Sequence, residues 1–226
     1  MSNWFCFHQI NHQIDTTIAK KHLAFYMIGS LLVLIMGTWA LFYILKIKGI
    51  YPLQRAHSLL ERQQSAIFHP CVDYWEKEIF AWAAEVELDP LLIATVMQIE
   101  SCGNPNAVSP VGALGLFQVM PYHFLPGDDP LDPQTNAQRG LDYLQESFIK
   151  SNGDIRTALA GYNGGHGQIN RDPEVWPDET KRYVHWGWGI YQDARDNNIT
   201  GKALSDWLDA GGWHLCEQAK LTLGLP

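Results

Sequence analysis

The chain has 226 residues, of which 46% are apolar, 12% aromatic and 18% charged. This composition excludes a wholly disordered, collagen-like or low-complexity protein. The formal net charge is −8 and no basic run is present, so a nucleic-acid-binding protein is a poor fit. The four cysteines form no CxxC pair, which argues against a structural zinc site, and no other metal or cofactor motif is present.

An uncharged apolar stretch at residues 23–45 is the first predicted element. As a helix with a rise of ~1.5 Å per residue it would extend roughly 34 Å, enough to cross the ~30 Å apolar core of a bilayer. A cleaved signal peptide usually has a shorter apolar region and a small-residue cleavage site, whereas Lys46-Ile47-Lys48 follows here. We therefore predict a retained transmembrane helix.

The charge distribution divides the chain at about residue 70. The first 69 residues hold two of the 24 acidic and six of the 16 basic residues, so the remainder is strongly acidic. Two Lys or Arg residues lie within about 20 residues before the span and four lie after it, which weakly favours a cytoplasmic large domain. The predicted organisation is an N-terminal tail, a transmembrane helix, a juxtamembrane linker and one large domain, at residues 1–22, 23–45, 46–69 and 70–226.

Helical periodicity characterises the large domain. Apolar residues recur at intervals of three and four along residues 72–86, as is typical of an amphipathic helix. Asp89-Pro90 supplies an N-cap and a first-turn proline for a second helix that runs to about residue 101. No alternating strand pattern follows, so the predicted fold class is all-α. Further helical stretches are predicted at residues 137–148, 154–163, 178–191, 203–208 and 213–223.

Glu100 has an unusual position in the second predicted helix. Ile93, Val96 and Met97 define the apolar stripe of that helix, and position 100 continues the stripe at i+7. Burial and the negative end of the helix dipole both disfavour an ionised carboxyl, so the pKa of Glu100 should be raised. A carboxyl that stays protonated near neutral pH can act as a general acid. The alternative is a helix-end glutamate that turns toward solvent or pairs with a base.

Four motifs follow one another from Glu100 onward. They are Glu100-Ser101 at a helix end, a Gly-Leu-Phe-Gln loop ending at Gln118, Tyr162-Asn163 at a second helix end, and a Glu-Thr-x-x-Tyr-Val helix containing Tyr183. Their order and spacing resemble the soluble-type lytic transglycosylase (SLT) domain of the lysozyme-like superfamily, over roughly residues 75–195. The resemblance implies an α-rich, lysozyme-like fold. It also implies cleavage of the β-1,4 bond between N-acetylmuramic acid and N-acetylglucosamine in peptidoglycan, with a 1,6-anhydro product.

The resemblance also implies roles for individual residues. Glu100 becomes the sole catalytic acid and base, and Tyr183 matches the family's tyrosine near the catalytic carboxyl. The other implied substrate-binding residues are Ser109, Gln118, Met120, Tyr162 and Asn163. From the residues alone, Gln118 could equally be a loop amide with internal partners, and Tyr162 and Tyr183 could be core residues. Gly164 stands where the family more usually has alanine.

The motifs supply Glu100 with no obvious second carboxylate. A retaining glycosidase needs one ~5–5.5 Å from the first, and an inverting enzyme needs one ~6.5–9.5 Å away. We therefore expect the 2-acetamido group of muramic acid to act as the nucleophile and its C6 hydroxyl to close the anhydro ring. One alternative is a hydrolytic muramidase like the goose-type lysozymes, with an aspartate of residues 122–136 positioning water. Another is an inactive, membrane-tethered glycan-binding module.

The implied substrate lies outside the cytoplasm, in conflict with the charge rule. The basic excess is only two residues, so we predict a single-pass membrane protein with an extracytoplasmic catalytic domain. Cysteines of that domain would then face an oxidising compartment. Cys71 with Cys102 is one expected disulfide and Cys102 with Cys216 is the alternative; either leaves one thiol free. The expected partners are peptidoglycan strands and the membrane, with no nucleic acid and no cofactor.

Overall fold

The computed structural model describes residues 67–198 and 200–226. The predicted transmembrane helix at 23–45 and nearly all of the predicted linker at 46–69 lie outside these residues. Within the two described ranges, no helix combines the length and the apolar character that crossing a membrane requires. The membrane span therefore stays a prediction.

The described residues form an α-helical domain, as predicted. Its α-helices are α1 Pro70–Asp73, α2 Glu76–Val86, α3 Pro90–Glu100, α4 Pro133–Lys150, α5 Ile155–Gly164, α6 Asp178–Arg195, α7 Lys202–Trp207 and α8 Trp213–Leu223. A kinked segment, Leu208–Gly212, joins α7 to α8. In the described ranges, β-type pairing is limited to isolated antiparallel bridges of Leu114 with Val108 and with Val119. Single 3-10 turns lie between the helices at Pro121–His123, His166–Gln168 and Pro173–Val175.

Three helices begin at an aspartate that accepts a backbone hydrogen bond. Asp89 accepts from the Leu91 amide at 3.1 Å and Asp154 from the Thr157 amide at 2.8 Å, which confirms both predicted helix starts. Asp132 caps α4 in the same way and, like Asp89, precedes a proline at the start of its helix. The cap satisfies an amide that has no partner inside the helix, and proline at that position loses no hydrogen bond.

Helix α3 lies at the centre of the hydrophobic core. Ile93, Val96 and Met97 are completely buried, as their spacing predicted, and α2 and α6 pack against this helix. Helix α6 also contacts α5, which in turn packs on α4. Ile67 and Phe68, which the sequence analysis placed in the linker, are buried in the same core. The residue that ends α3 is therefore held by a helix that is packed on several sides in the core.

The first predicted helix is divided in two. A single amphipathic helix was expected over residues 72–86, but α1 ends at Asp73 and α2 begins at Glu76. Between them, the indole of Trp75 is buried and donates a hydrogen bond of 2.8 Å to the carbonyl of Gly103. This long-range contact links the break to the turn that follows α3, and a local hydrophobic pattern cannot reveal it.

The disulfide joins Cys102 to Cys216, whose Cα atoms are 5.0 Å apart. This corrects the expected pairing of Cys71 with Cys102, since Cys71 is a buried free thiol. The sulfur of Cys71 lies 3.7 Å from the carbonyl oxygen of Cys216. Its own carbonyl is so close to Gly103 that a Cβ added there would lie 2.4 Å from it. The main chain of Cys71 thus packs against the turn after α3, whereas the sulfur that bonds to Cys102 is that of Cys216 on α8.

Replacing Cys216 by serine should strongly destabilise the oxidised chain. The disulfide spans a sequence separation of 114 residues, and removing such a cross-link typically costs about 2–5 kcal/mol of unfolding free energy. Urea denaturation followed by tryptophan fluorescence measures this loss. Cys71→Ser is the matched control, because it removes a sulfur from the same cluster without removing a cross-link. Equal losses in the two variants would contradict a bracing role for the disulfide.

Candidate active site

Glu100 ends α3 and continues the buried stripe of Ile93, Val96 and Met97. Part of the residue is accessible to solvent, but protein atoms surround most of its carboxyl group. This loss of hydration is the main cause that raises the pKa of Glu100 to about 8, the direction expected from its position. A carboxyl with such a pKa carries its proton at pH 7.

Two residues of α6 act on Glu100 in opposite directions. The Tyr183 hydroxyl interacts with the carboxyl and lowers the Glu100 pKa, whereas the negative charge of Glu179 raises it. Glu179 is thus a second carboxylate whose charge acts on Glu100. It is exposed in the first turn of α6, where the helix dipole favours a negative charge. The position of Glu179 could have been predicted, because residues four apart on a helix share a face and the resemblance had already placed Tyr183 in the site.

Tyr162 and Tyr183 place two neutral phenols near Glu100. Burial, and then the negative charge of Glu100, raise the pKa of both tyrosines well above the ordinary value. Tyr162 donates a hydrogen bond of 2.7 Å to the carbonyl of Phe117 and so connects α5 to the loop before α4. The Tyr183 hydroxyl is buried, and within the described residues it has no hydrogen bond of ordinary geometry. It therefore remains able to bond to a substrate or to a slightly displaced Glu100.

Two predicted substrate-binding residues also shape the loop between α3 and α4. Gln118 has a φ of +46°, and its Nε2 donates to the carbonyls of Gly115 and Ala107 at 3.0 and 3.3 Å. The hydroxyl oxygen of Ser109 accepts a hydrogen bond of 2.9 Å from the Ala113 amide. Gln118 is thus the internally bonded loop amide that the sequence analysis considered as an alternative. Its Oε1 keeps no partner among residues 67–198 and is available as an acceptor.

Asn136 is a structural residue that the sequence analysis missed. It is completely buried on α4. Its Nδ2 donates to the carbonyls of Leu114 and Pro130 at 2.8 and 2.9 Å, and its Oδ1 accepts from the Phe117 amide at 2.9 Å. Asn136 therefore holds the Gly-Leu-Phe-Gln loop on α4. The sequence offered one indication of this role, because Asn136 lies directly before the apolar stripe of a predicted helix. A buried side-chain amide needs hydrogen-bond partners.

Asn163 connects the end of α5 to the start of α6. The Thr180 hydroxyl donates to its Oδ1 at 2.9 Å, which leaves the NH2 group of Asn163 without a partner in the described part of the chain. Gly164 packs against the same threonine, and a Cβ added there would lie 2.6 Å from Thr180 Oγ1. The departure from alanine at this position therefore fits the close approach of α5 and α6.

Ser109 and Met120 have no direct contact with Glu100 among the described residues. Ser109 closes the turn before Ala113, and Met120 is half-buried just before the 3-10 turn Pro121–His123. The residues that the structure gathers around Glu100 are Tyr162, Tyr183 and Glu179.

The aspartates of the loop before α4 are engaged in local contacts. Asp128 pairs with Arg139 at 2.7 Å. Asp132 caps α4 through the Thr135 amide at 2.8 Å, and Asp129 accepts from an amide two residues ahead at 3.0 Å. These contacts weaken the alternative in which one of these carboxylates positions a water beside Glu100.

Among the described residues, one group of side chains has the arrangement of metal ligands. The ligand atoms of His69, Cys102 and Cys216 all lie within 4.8 Å of one another. The two sulfurs are those of the disulfide. The group combines a residue before the Glu100 helix with two residues after it and does not include Glu100.

Residues 77–182 match the family model of the transglycosylase SLT domain. The matched segment spans 106 of the 226 residues, a little under half of the chain. It contains Glu100, the loop held by Asn136 and the contact between Asn163 and Thr180, and it ends one residue before Tyr183. The resemblance in the four motifs is thereby confirmed for the domain.

Curated relatives share the SLT domain at moderate identity. A transglycosylase of Enterobacteria phage PRD1 is 41% identical over 111 residues, which cover 48% of this chain and 40% of the phage protein. A membrane-bound lytic murein transglycosylase F of Vibrio cholerae is 32% identical over 114 residues, which cover 42% of this chain and 22% of that protein. The chain thus spans less than half the length of these relatives. A solved structure, an inactive mutant of lytic transglycosylase Slt from Pseudomonas aeruginosa, is 24% identical with a TM-score of 0.44, covering 53% of this chain and 24% of that one.

Proposed function

We propose that this chain is a membrane-anchored lytic transglycosylase of peptidoglycan. It would cleave the β-1,4 bond between N-acetylmuramic acid and N-acetylglucosamine and leave a 1,6-anhydro-muramic end. The observation that carries the proposal is the Glu100 carboxyl, which has a pKa of about 8 and ends the central helix of an SLT domain. The names of the relatives, lytic murein transglycosylases among them, support the substrate class.

Glu100 serves in both halves of the proposed reaction. Protonated at neutral pH, it donates its proton to the leaving glycosidic oxygen, while the 2-acetamido group of the muramic acid bonds to C1. The resulting carboxylate then removes the proton of the C6 hydroxyl, whose oxygen attacks C1 and displaces the acetamido group. A pKa near the working pH suits both proton transfers. The substrate provides the nucleophile, a recognised exception to the two-carboxylate scheme.

Three polar groups around the loop and helix ends are the proposed contacts to the sugars. The NH2 group of Asn163 can donate to an acetamido oxygen, and the Oε1 of Gln118 can accept from an amide or a hydroxyl. The buried hydroxyl of Tyr183 can donate to the substrate beside Glu100. Ser109 and Met120 are proposed as further contacts to the glycan strand. Tyr162 contributes mainly through its hydrogen bond to Phe117, which positions the loop.

Mass spectrometry of the reaction products tests this proposal directly. Purified peptidoglycan is digested with the detergent-solubilised full chain, and the released muropeptides are compared with those of a known hydrolase. Anhydro ends, lighter by one water than reducing ends, are expected. Strands that bind to the protein but remain intact would instead support the glycan-binding module.

Glu179 gives a specific reason to keep a hydrolytic muramidase as the second candidate function. Its charge acts on Glu100, so it is a candidate for the carboxylate that activates a water. The same mass spectra decide between the two reactions, since reducing ends as the main product would establish hydrolysis. In that case Glu179, rather than an aspartate of residues 122–136, becomes the residue to test.

The pH dependence of cleavage should report the electrostatic effect of Glu179. The reaction begins with protonated Glu100, so kcat/KM should fall as the pH rises through about 8. Glu179→Gln removes a negative charge that raises the Glu100 pKa, and this falling limb should move to lower pH. Tyr183→Phe should move it to higher pH, because the hydroxyl lowers that pKa. Glu85→Gln, an exposed change on α2, is the matched control, and an identical shift in that variant would refute the assignment.

The proposed anchor at residues 23–45 places the catalytic domain outside the cytoplasm and the N-terminal tail inside. The membrane-bound names of some relatives support an anchor. In a Cys71→Ser variant with the disulfide intact, Cys6 is the remaining free thiol. An impermeant maleimide should label Cys6 only after spheroplasts are permeabilised. Labelling of intact spheroplasts would reverse the proposed orientation.

A further inference from the structure

We propose that the chain binds one Zn²⁺ ion through Cys102, Cys216 and His69 when its disulfide is reduced. The three ligand atoms already lie within 4.8 Å of one another. In a tetrahedral site with Zn–S of ~2.3 Å and Zn–N of ~2.0–2.1 Å, ligand atoms are separated by roughly 3.5–3.8 Å. In the oxidised chain the two sulfurs are bonded at 2.01 Å, so they must separate by side-chain rotation after reduction before they can surround an ion.

The ligands come from three separate parts of the domain. His69 directly precedes α1, Cys102 follows α3, and Cys216 lies on α8. Their positions are far apart in sequence, so the absence of a CxxC pair says nothing about this site. The buried thiol of Cys71 lies against the main chain of Cys216. The Cys71 sulfur is not among the grouped ligand atoms, so the fourth position of the tetrahedron is left for a water molecule.

Gln98 supplies an independent observation that points to metal-bound thiolates. Its side chain is completely buried, and its Nε2 lies 3.2 Å from the sulfur of Cys102 and 3.6 Å from that of Cys216. Its Oε1 accepts a hydrogen bond of 2.9 Å from the backbone amide of His69. One buried amide therefore bonds to all three ligand residues. N–H donors to sulfur stabilise thiolate charge, and partners of this kind orient metal ligands and increase their affinity.

Reduction of the disulfide and binding of the ion need no group from the active site. A cellular dithiol transfers two electrons and two protons to the disulfide and itself becomes a disulfide. Zn²⁺ then displaces the two thiol protons of Cys102 and Cys216, and a ring nitrogen of neutral His69 completes an S2N donor set. Such borderline-soft donors in a tetrahedral arrangement suit Zn²⁺. If the ion takes Nδ1, the loss is one long hydrogen bond of 3.3 Å from the Cys71 amide.

Cobalt and zinc titration of the full chain tests the site, with a readout that does not depend on glycan cleavage. The detergent-solubilised chain is reduced anaerobically with a phosphine, which takes an oxygen from water as the disulfide accepts two electrons, and is freed of metal. We expect one equivalent of Co²⁺ to give tetrahedral d–d bands and thiolate-to-metal charge transfer, both displaced by Zn²⁺. The oxidised chain should show neither.

Variants assign the ligands. Cys102→Ser and Cys216→Ser should each remove most of the charge-transfer absorption. His69→Gln should weaken zinc affinity beyond the roughly 10–100-fold that loss of an outer partner of a ligand costs. His214→Gln is the matched control, a histidine outside the cluster, and it should bind as the unchanged chain does.

Three results would overturn the proposal. One is a folded, reduced chain, as judged by circular dichroism, that binds no stoichiometric cobalt. Another is cobalt binding with unchanged affinity and spectrum in Cys102→Ser and Cys216→Ser. The third is a reduced chain that is unfolded both with and without Zn²⁺, since a site of this kind must stabilise the fold when it is filled.

Discussion

Glu100→Gln should reduce glycan cleavage by at least about 10³-fold, since general acid–base catalysis contributes ~10²–10⁴-fold and the proposed mechanism assigns both proton transfers to this residue. Glutamine keeps the size of the side chain but neither donates a proton to a leaving oxygen nor removes one from a hydroxyl. The measurement is the release of anhydro-muropeptides from purified peptidoglycan at pH 7. Glu85→Gln, the same change on an exposed face of α2, should retain full activity.

The same substitution should increase stability at neutral pH. The pKa of Glu100 is about 8 in the folded chain, against an ordinary value of 4.5. Because the folded state holds the proton more tightly, the stability of the folded chain falls as the pH rises between about 4.5 and 8. Removing the ionisable group removes that penalty, which is worth up to about 3 kcal/mol at pH 7.

Urea denaturation at pH 4 and pH 7 separates these effects. The stabilisation of Glu100→Gln over the unchanged chain should be present at pH 7 and nearly absent at pH 4, where both states are protonated. A variant that is inactive and also less stable at pH 7 would have lost activity through misfolding. A variant that cleaves peptidoglycan at the normal rate would end the assignment of Glu100 as the catalytic acid.

Gly115→Ala should cause the largest loss of stability among substitutions in the loop before α4. Gly115 has a φ of +72°, and a Cβ there would lie 2.3 Å from Nδ2 of Asn136. A left-handed conformation costs an alanine roughly 1–2 kcal/mol, and forcing an extra group into packed surroundings adds about 1–3 kcal/mol. Asn136 cannot move away without losing its hydrogen bonds to Leu114, Phe117 and Pro130. We therefore expect a loss of about 3 kcal/mol or more, and weakened cleavage.

Gly112→Ala isolates the two causes. Gly112 has a similar φ of +88°, but no atom lies within 4 Å of the position of an added Cβ. This variant should lose only the roughly 1–2 kcal/mol of the left-handed backbone. Urea denaturation of both variants measures the difference, which reports the contact with Asn136. Equal losses would show that Asn136 does not hold the loop as described.

Local signals explain how much of the fold could be predicted. The starts of α3 and α5 follow from Asp89 and Asp154, because a cap depends on neighbouring residues only. The burial of α3 and the raised pKa of Glu100 follow from one stripe of apolar side chains. The division between α1 and α2 could not be predicted, since it involves a hydrogen bond from Trp75 to a residue 28 positions away.

The rest of the site depends on contacts between distant segments. From α4, Asn136 bonds to two carbonyls and one amide of the loop. The partner of Cys102 comes from the last helix. No periodicity encodes either contact. Glu179 is different, because it lies four residues before Tyr183 and therefore on the same face of α6. Its effect on Glu100 could therefore have been predicted from the sequence.

The cross-link between Cys102 and Cys216 has a consequence for the order in which the domain is completed. Chains emerge from the ribosome and cross membranes from the N-terminus onward, so the catalytic helix appears first and its covalent partner follows 114 residues later. A half-delivered chain already contains the whole SLT segment, 77–182, but the end of its glutamate-bearing helix is not yet braced. In the proposed enzyme, the disulfide that braces the end of this helix can therefore form only after the last helix has emerged.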